Sequence, residues 1–179
     1  MTSSPYHIRG FTLVELMVVI VIMGIMASLV LINTGGVEQR KAMQAREVLL
    51  LDLQRILREA NDQSRILALT IQPATDVTPF RYAVTEYRPQ TQSTINAQKW
   101  QNYAEFKLRN LPEQVSFQVQ ALEQRYTNAQ NPDLTQADTP KLIWLGNGEV
   151  KPVRIQFFLE NREVGHPIEI DHLGKINAG

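Results

Sequence analysis

Cysteine is absent from the 179 residues. A disulfide scaffold, a thiolate metal site and a cysteine nucleophile are therefore all excluded. An oxidising compartment is not, because a domain with enough core needs no crosslink. Neither sign of charge predominates: Lys plus Arg and Asp plus Glu number 18 each. That balance argues against a strongly basic nucleic-acid binder and against an acidic solvating tail. The phosphate-loop pattern GxxxxGK and the nucleophile pattern GxSxG are both missing. The six serines (Ser3, Ser4, Ser28, Ser64, Ser93 and Ser116) have no evident His/Asp companions, so no catalytic machinery is read here. His166, Glu169, Asp171 and His172 form the one tempting metal group. Strand alternation would send Glu169 and Asp171 to one face while His166 lies beyond Pro167, so these read as solvated edge residues. No metal or other cofactor is expected. No internal repeat is visible.

What remains is a chain of 44% apolar and 20% charged residues, enough for one ordinary domain and an appendage. The apolar residues crowd toward the N-terminus. From Phe11 to Ile32 the sequence reads FTLVELMVVIVIMGIMASLVLI, with Glu15 its one charged residue. As a helix rising about 1.5 Å per residue, this run would span roughly 33 Å, near the thickness of a bilayer's hydrocarbon core. Fourteen of these residues are Leu, Ile, Val or Phe. At roughly 0.3–0.6 kcal/mol each they favour insertion by about 4–8 kcal/mol, against a cost of about 3 kcal/mol for a central carboxylate. Glu15 lies near one end, where the cost is smaller. Membrane insertion is the expectation. A cleaved secretory signal fits less well, because the run is too long and Asn33-Thr34-Gly35-Gly36 lacks an Ala-x-Ala site.

The suggestive features lie on the other side of the run. A polar ten-residue leader, MTSSPYHIRG, ends in Gly10, and Phe11-Thr12-Leu13-Val14-Glu15 follows at once. Gly10 has no side chain, so a protease can approach its extended backbone closely. Arg9-Gly10-Phe11-Thr12-Leu13-Val14-Glu15, running straight into the apolar segment, resembles the class III signal of type IV pilins and type II secretion pseudopilins. The resemblance implies cleavage between Gly10 and Phe11 by the prepilin peptidase, N-methylation of Phe11, and retention of the apolar segment as anchor and assembly helix. Cleavage frees a protonatable amine on Phe11, four residues from Glu15. A carboxylate at the edge of hydrocarbon seeks a cation, and the Phe11 amine of a neighbouring subunit is one candidate. Snorkelling of Glu15 to the headgroups is the plainer alternative. The charge pattern, with Arg40, Lys41 and Arg46 after the run and only Arg9 before it, weakly places the C-terminal side in the cytoplasm. The family resemblance implies the opposite orientation. Gly24, Ala27 and Ser28 make a weak small-residue face for close helix packing. Asn33 to Gly36 are expected to mark the membrane exit and a local loosening of the helix.

Beyond Val37 the pattern turns amphipathic. Met43, Leu49, Leu53, Ile56, Leu57 and Ala60 follow steps of three and four, with Arg46, Asp52, Arg55, Arg58 and Glu59 assigned to other faces. A helix over about 37–63 is expected, its stripe packed on a domain beyond. After Ser64 the period moves toward two. Candidate strands are Ile66–Gln72, Phe80–Tyr87, Tyr103–Leu108, Val115–Leu122, Leu142–Leu145, Val153–Leu159 and Pro167–Asp171. Val153, Ile155, Phe157 and Leu159 should share a core face, and so should Val115, Phe117 and Val119. Gly146-Asn147-Gly148 signals a tight turn. The stretches 89–98 and 127–140 read as surface loops.

This layout resembles the H-type minor pseudopilins of type II secretion and the related FimT/FimU-type minor pilins. The ending from Trp144-Leu145-Gly146-Asn147-Gly148-Glu149 to Ile168–Ile176 is similar as well. Unlike major pseudopilins, the chain has no proline between its leader and Pro73 and no acidic calcium-binding C-terminal loop. The implied fold is α+β and pilin-like: a long N-terminal helix whose first half spans the membrane, packed on an antiparallel β-rich domain. The implied organisation is a leader over 1–10, an anchor over 11–32, a periplasmic helix over 33–65 and a periplasmic β-domain over 66–179. The implied setting is the inner membrane, single-pass. The implied partners are minor pseudopilins of the I, J and K types, the major pseudopilin, the prepilin peptidase, the inner-membrane assembly platform and membrane lipid. A minor pilin of a type IV pilus, serving pilus assembly or DNA uptake, is the alternative. Arg81, Arg88, Lys99, Lys107 and Arg109 would then form the nucleic-acid patch, against which the balanced overall charge argues.

Overall fold

The computed structural model describes residues 11–32, 34–89, 99–122 and 139–179. Gly10 and Arg9, Asn33, and most of the two expected surface loops lie outside the described residues. The chain divides into two compact units, Met1–Glu38 and Gln39–Gly179.

In the first unit, helix α1 covers Leu13–Ile32. Its 20 residues correspond to about 30 Å of helix. The large apolar side chains from Phe11 to Met26 are all exposed, Val19 least at 41% and Phe11 most at 79%. Among the described residues, with α1 side chains described as far as Ser28, no helix is long and apolar enough to cross a membrane.

Helix α2, Thr34–Gln63, runs into the second unit. Gly35 and Gly36 are helical rather than loosened. Two glycines at about 1 kcal/mol each are a tolerable cost within 30 helical residues. The helix ends at Gln63 in a left-handed cap. Ser64 has φ 50°, its N–H donates to Asn61 O at 3.3 Å, and Arg65 N–H donates to Ala60 O at 2.9 Å. These are the paired bonds of a Schellman motif, with serine where glycine is usual.

Among the described residues nine strands follow: β1 (Leu67–Gln72), β2 (Arg81–Tyr87), β3 (Trp100–Asn102), β4 (Arg109–Asn110), β5 (Val115–Ala121), β6 (Leu142–Trp144), β7 (Val153–Leu159), β8 (Arg162–Ile170) and β9 (Ile176–Asn177). They form two antiparallel sheets. The first runs β3-β2-β1-β6, with β4 also on β2, and the second β5-β7-β8-β9. The period-two reading places β1, β2, β5, β6 and β7 within about a residue. Val153, Ile155, Phe157 and Leu159 are buried on one face of β7, and Val115, Phe117 and Val119 on one face of β5. Phe117 joins the two sheets, its ring 5.3 Å from Phe157 and 5.1 Å from Phe80. Helix α2 and both sheets share a single apolar cluster.

Two strand expectations are corrected. Tyr103–Leu108 is not a strand but the turn between β3 and β4. Tyr103 and Phe106 are three residues apart and both buried. Phe106 N–H donates to Tyr103 O at 3.1 Å, so a turn rather than a pleat brings both rings inward. Strand β8 begins at Arg162, well before Pro167, and stops at Ile170. Its register shifts opposite Ile155 and Phe157, and a bulge of this kind erases the alternation a sequence pattern needs.

A third correction concerns charge. Arg46 and Asp52, assigned to outer faces, are 5% and 4% exposed. They lie on the stripe of Ala42, Leu49, Leu53, Ile56 and Ala60. Met43, assigned to that stripe, is 37% exposed. The Arg46 guanidinium donates through Nε to His166 O at 3.0 Å and through Nη2 to Ala178 O, and its Nη1 pairs with Glu47 at 2.9 Å. Asp52 accepts from the Tyr82 hydroxyl at 2.7 Å and from Arg109 Nε and Nη2 at 3.1 Å each. Burial, reinforced by Asp52, pushes the Tyr82 phenol far above the usual tyrosine range. The bond to Asp52 also raises the Arg109 guanidinium. Both helix charges are thus tied to strands that come much later in the chain.

Candidate functional site: the capped N-terminal helix

The sequence marks Gly10, Phe11 and Glu15. Of these, Gly10 lies outside the described residues, and Phe11 and Glu15 stand at the start of α1. Helix α1 begins at Leu13, which makes Thr12 its N-cap residue and Glu15 its third helical position. The Glu15 N–H donates to Thr12 Oγ1 at 3.3 Å, and the Leu16 N–H donates to Thr12 O at 3.2 Å. One otherwise orphaned amide of the first turn is satisfied by a side chain three residues back.

Thr12 is the site residue that the sequence reading passed over. Its signal was present. Thr12-x-x-Glu15 has the spacing of a capping box, and Phe11 and Leu16 occupy the two positions of a hydrophobic staple. Residues 11–16 therefore start the helix within the stretch that the sequence reading took for a processing signal. A carboxylate at the third helical position also sits at the positive end of the helix dipole, worth about 0.3–1 kcal/mol. Among the described residues no hydrogen bond or ion pair engages the Glu15 carboxylate. It is exposed, and Leu13, Val14, Leu16 and Met17 beside it are more than half exposed. Among the described residues this acid has no partner, and the apolar side chains around it are exposed.

The other sequence candidates are engaged locally. Asp171 Oδ1 accepts from Leu173 N–H at 2.9 Å and Lys175 N–H at 2.8 Å, which closes the turn after β8. Glu169 pairs with Arg154 at 2.6 Å. Among the described residues no group of three or more His, Asp or Glu is arranged to hold a metal. Of the five residues of the basic patch, Arg88 pairs with Glu86 and Arg109 with Asp52.

Residues 6–31 match the family model described as the prokaryotic N-terminal methylation motif. The chain carries that motif at its N-terminus. It is 34% identical over 93 residues to type II secretion system core protein G of Pectobacterium carotovorum subsp. carotovorum. That match takes in 48% of this chain and 60% of the relative, so the chain spans about three fifths of the relative's length. Two structures of the minor pseudopilin EpsH from the type II secretion system of Vibrio cholerae share the fold, with TM-scores of 0.52 and 0.53 at 20% and 19% identity. They cover 76% and 79% of this chain and 94% and 99% of their own. In motif, in sequence and in its expected α+β fold the chain is similar to these proteins.

Proposed function

We propose that this chain is the precursor of a minor pseudopilin of the type II secretion system, of the H type, and that it acts by assembly rather than catalysis. Cleavage after Gly10 and N-methylation of Phe11 release the mature subunit. The apolar helix then holds it in the inner membrane in a single pass, with the β-rich unit in the periplasm. Membrane helices pack side by side as the core of a short fibre whose growth pushes folded proteins through the outer membrane. The H type stands near its tip, between the I, J and K minor subunits and the major pseudopilin.

The observation that carries this reading is the start of α1: a capped helix whose lone acid finds no partner among the described residues, within the methylation motif. A cation on Phe11 lies at the positive end of the helix dipole and is disfavoured there by itself. A carboxylate from an adjacent subunit neutralises it, and the same contact relieves the acid left in apolar surroundings. One salt bridge thereby sets the axial register of two subunits.

Mass spectrometry of the protein from its native membrane tests the maturation. The expected species starts at a methylated Phe11, and Gly10→Val leaves a longer, unmethylated precursor. Retention of residues 1–10 in the native protein, or normal processing of the variant, overturns the assignment. Glu15→Ala should insert and be processed yet assemble poorly, and wild-type secretion by that variant removes the pairing role. Co-purification with pilus subunits in place of secretion subunits overturns the secretion assignment.

A further inference from the structure

Three turns of the β-rich unit converge on a groove of about 680 Å³ that none of the foregoing uses. They are the β1–β2 connection around Val77, the β4–β5 connection around Pro112, and the tight turn after β7 at Glu160. Its floor and walls are largely apolar, with Phe80, Leu111 and Pro112 below and Val77 at the lip. Val77 is 90% exposed, more than any other large apolar side chain among the described residues.

The lip is also rigid. Thr75 and Thr78 tie the first turn together through their hydroxyls at 2.8 Å, the Thr75 N–H to Thr78 O at 2.9 Å, and the Thr78 N–H to Thr75 Oγ1 at 3.2 Å. The other two turns are fastened to each other, Glu160 N–H donating to Gln114 O at 2.7 Å. Gln114 and Glu160 both hold positive φ, 62° and 56°. Such left-handed residues persist only where the surroundings enforce them. The groove is therefore pre-formed, and binding to it loses little conformational entropy.

Its charge has one sign. Among the described residues Asp76, Glu113 and Glu160 line it and no Lys, Arg or His does. Each carboxylate belongs to a different turn, each residue is exposed, and none forms an ion pair among the described residues. An apolar cleft rimmed by unpaired acids rejects an acidic partner and selects a basic one. We propose that this groove receives a Lys- or Arg-bearing turn of a neighbouring protein subunit, with Val77 and Phe80 as the apolar contact and the three carboxylates fixing its orientation. The inference rests on the fibre reading above and names the surface through which the β-rich unit chooses its neighbour.

The absence of cysteine makes the test clean. The full chain carrying Val77→Cys, labelled in cells with a benzophenone maleimide, is irradiated in the assembled state. Met23→Cys on α1 serves as a second labelling position, and leader removal is scored in the same samples. The expected result is a crosslink from position 77 to a second subunit. It should fall about tenfold when Asp76, Glu113 and Glu160 are all changed to Lys, three rim ion pairs of ordinary strength being lost together. All three are surface positions, and an unchanged melting temperature of the triple variant confirms that its fold is intact. A position-77 crosslink that is indifferent to the triple change refutes the proposal. Silence at position 77 in a processed chain that still crosslinks from position 23 refutes the groove and leaves the fibre reading standing. A chain that is neither processed nor crosslinked at either position sinks both.

Discussion

Asp52 offers the sharpest test of how the helix is held on its sheets. Its side chain is 6% exposed and takes three hydrogen bonds, one from the Tyr82 hydroxyl and two from Arg109. Asp52→Ala removes all three and leaves the buried Tyr82 hydroxyl without its acceptor. Breaking a buried ion pair costs roughly 3–5 kcal/mol. The Arg109 side chain is 48% exposed and regains water when released, so its share must be discounted for solvent screening. The stranded hydroxyl adds about 1–3 kcal/mol. A net loss of about 3 kcal/mol is expected, a fall of roughly 10 °C in melting temperature for a unit of this size. Tyr82→Phe alone should cost only about 1 kcal/mol, because the hydroxyl leaves together with its need for a partner. The assay is thermal unfolding of the full chain in detergent, with Asp52→Ala, Tyr82→Phe and the double variant forming a cycle. A loss below 1 kcal/mol for Asp52→Ala would refute the reasoning. So would a coupling energy of zero, since the carboxylate would then be a solvated bystander.

Other outcomes follow from the same geometry. Gly146 has φ 73°, and a Cβ there would stand 2.7 Å from Arg65 O and 2.8 Å from Arg65 N. Backbone cannot swing aside as a side chain can, so Gly146→Ala should cost about 2–4 kcal/mol. At Gly148, where a Cβ meets open space, only the left-handed penalty of about 1–2 kcal/mol remains, and equal melting temperatures for the two alanine variants would count against this. Thr12→Ala should lose about 1 kcal/mol of cap, read as roughly fivefold faster amide exchange at Glu15, whereas Thr12→Ser should keep its protection. Because the folded-state pKa of Tyr82 is raised above its ordinary value of 10.0, its contribution is complete below pH 10 and is lost as pH climbs beyond it. The urea midpoint should therefore fall more steeply above pH 10 in the native chain than in Tyr82→Phe, and parallel curves would exclude this linkage.

The sequence alone determined whatever depends on near neighbours. An apolar run with one acid, a Gly-Phe junction and a polar leader marked the stretch that the methylation-motif family model matches. Strict alternation found β7 and β5, because a half-buried strand must face inward at every second residue. The Thr12 cap was equally local and equally legible. Tertiary structure decided the rest. Arg46 and Asp52 read as solvent-facing because a lone charge is costly to bury. They are buried because the chain returns with His166 and Ala178 for one and with Tyr82 and Arg109 for the other. Tyr103–Leu108 looked like a strand because its aromatic and apolar residues suit one, yet the edge of β2 is shared by two short strands with a turn between them. The groove at Val77 gathers three turns that lie far apart along the chain. Composition and periodicity report a residue's surroundings only out to a few neighbours, whereas a partner for a buried charge and a wall for a groove come from contacts that exist only after the chain has closed on itself.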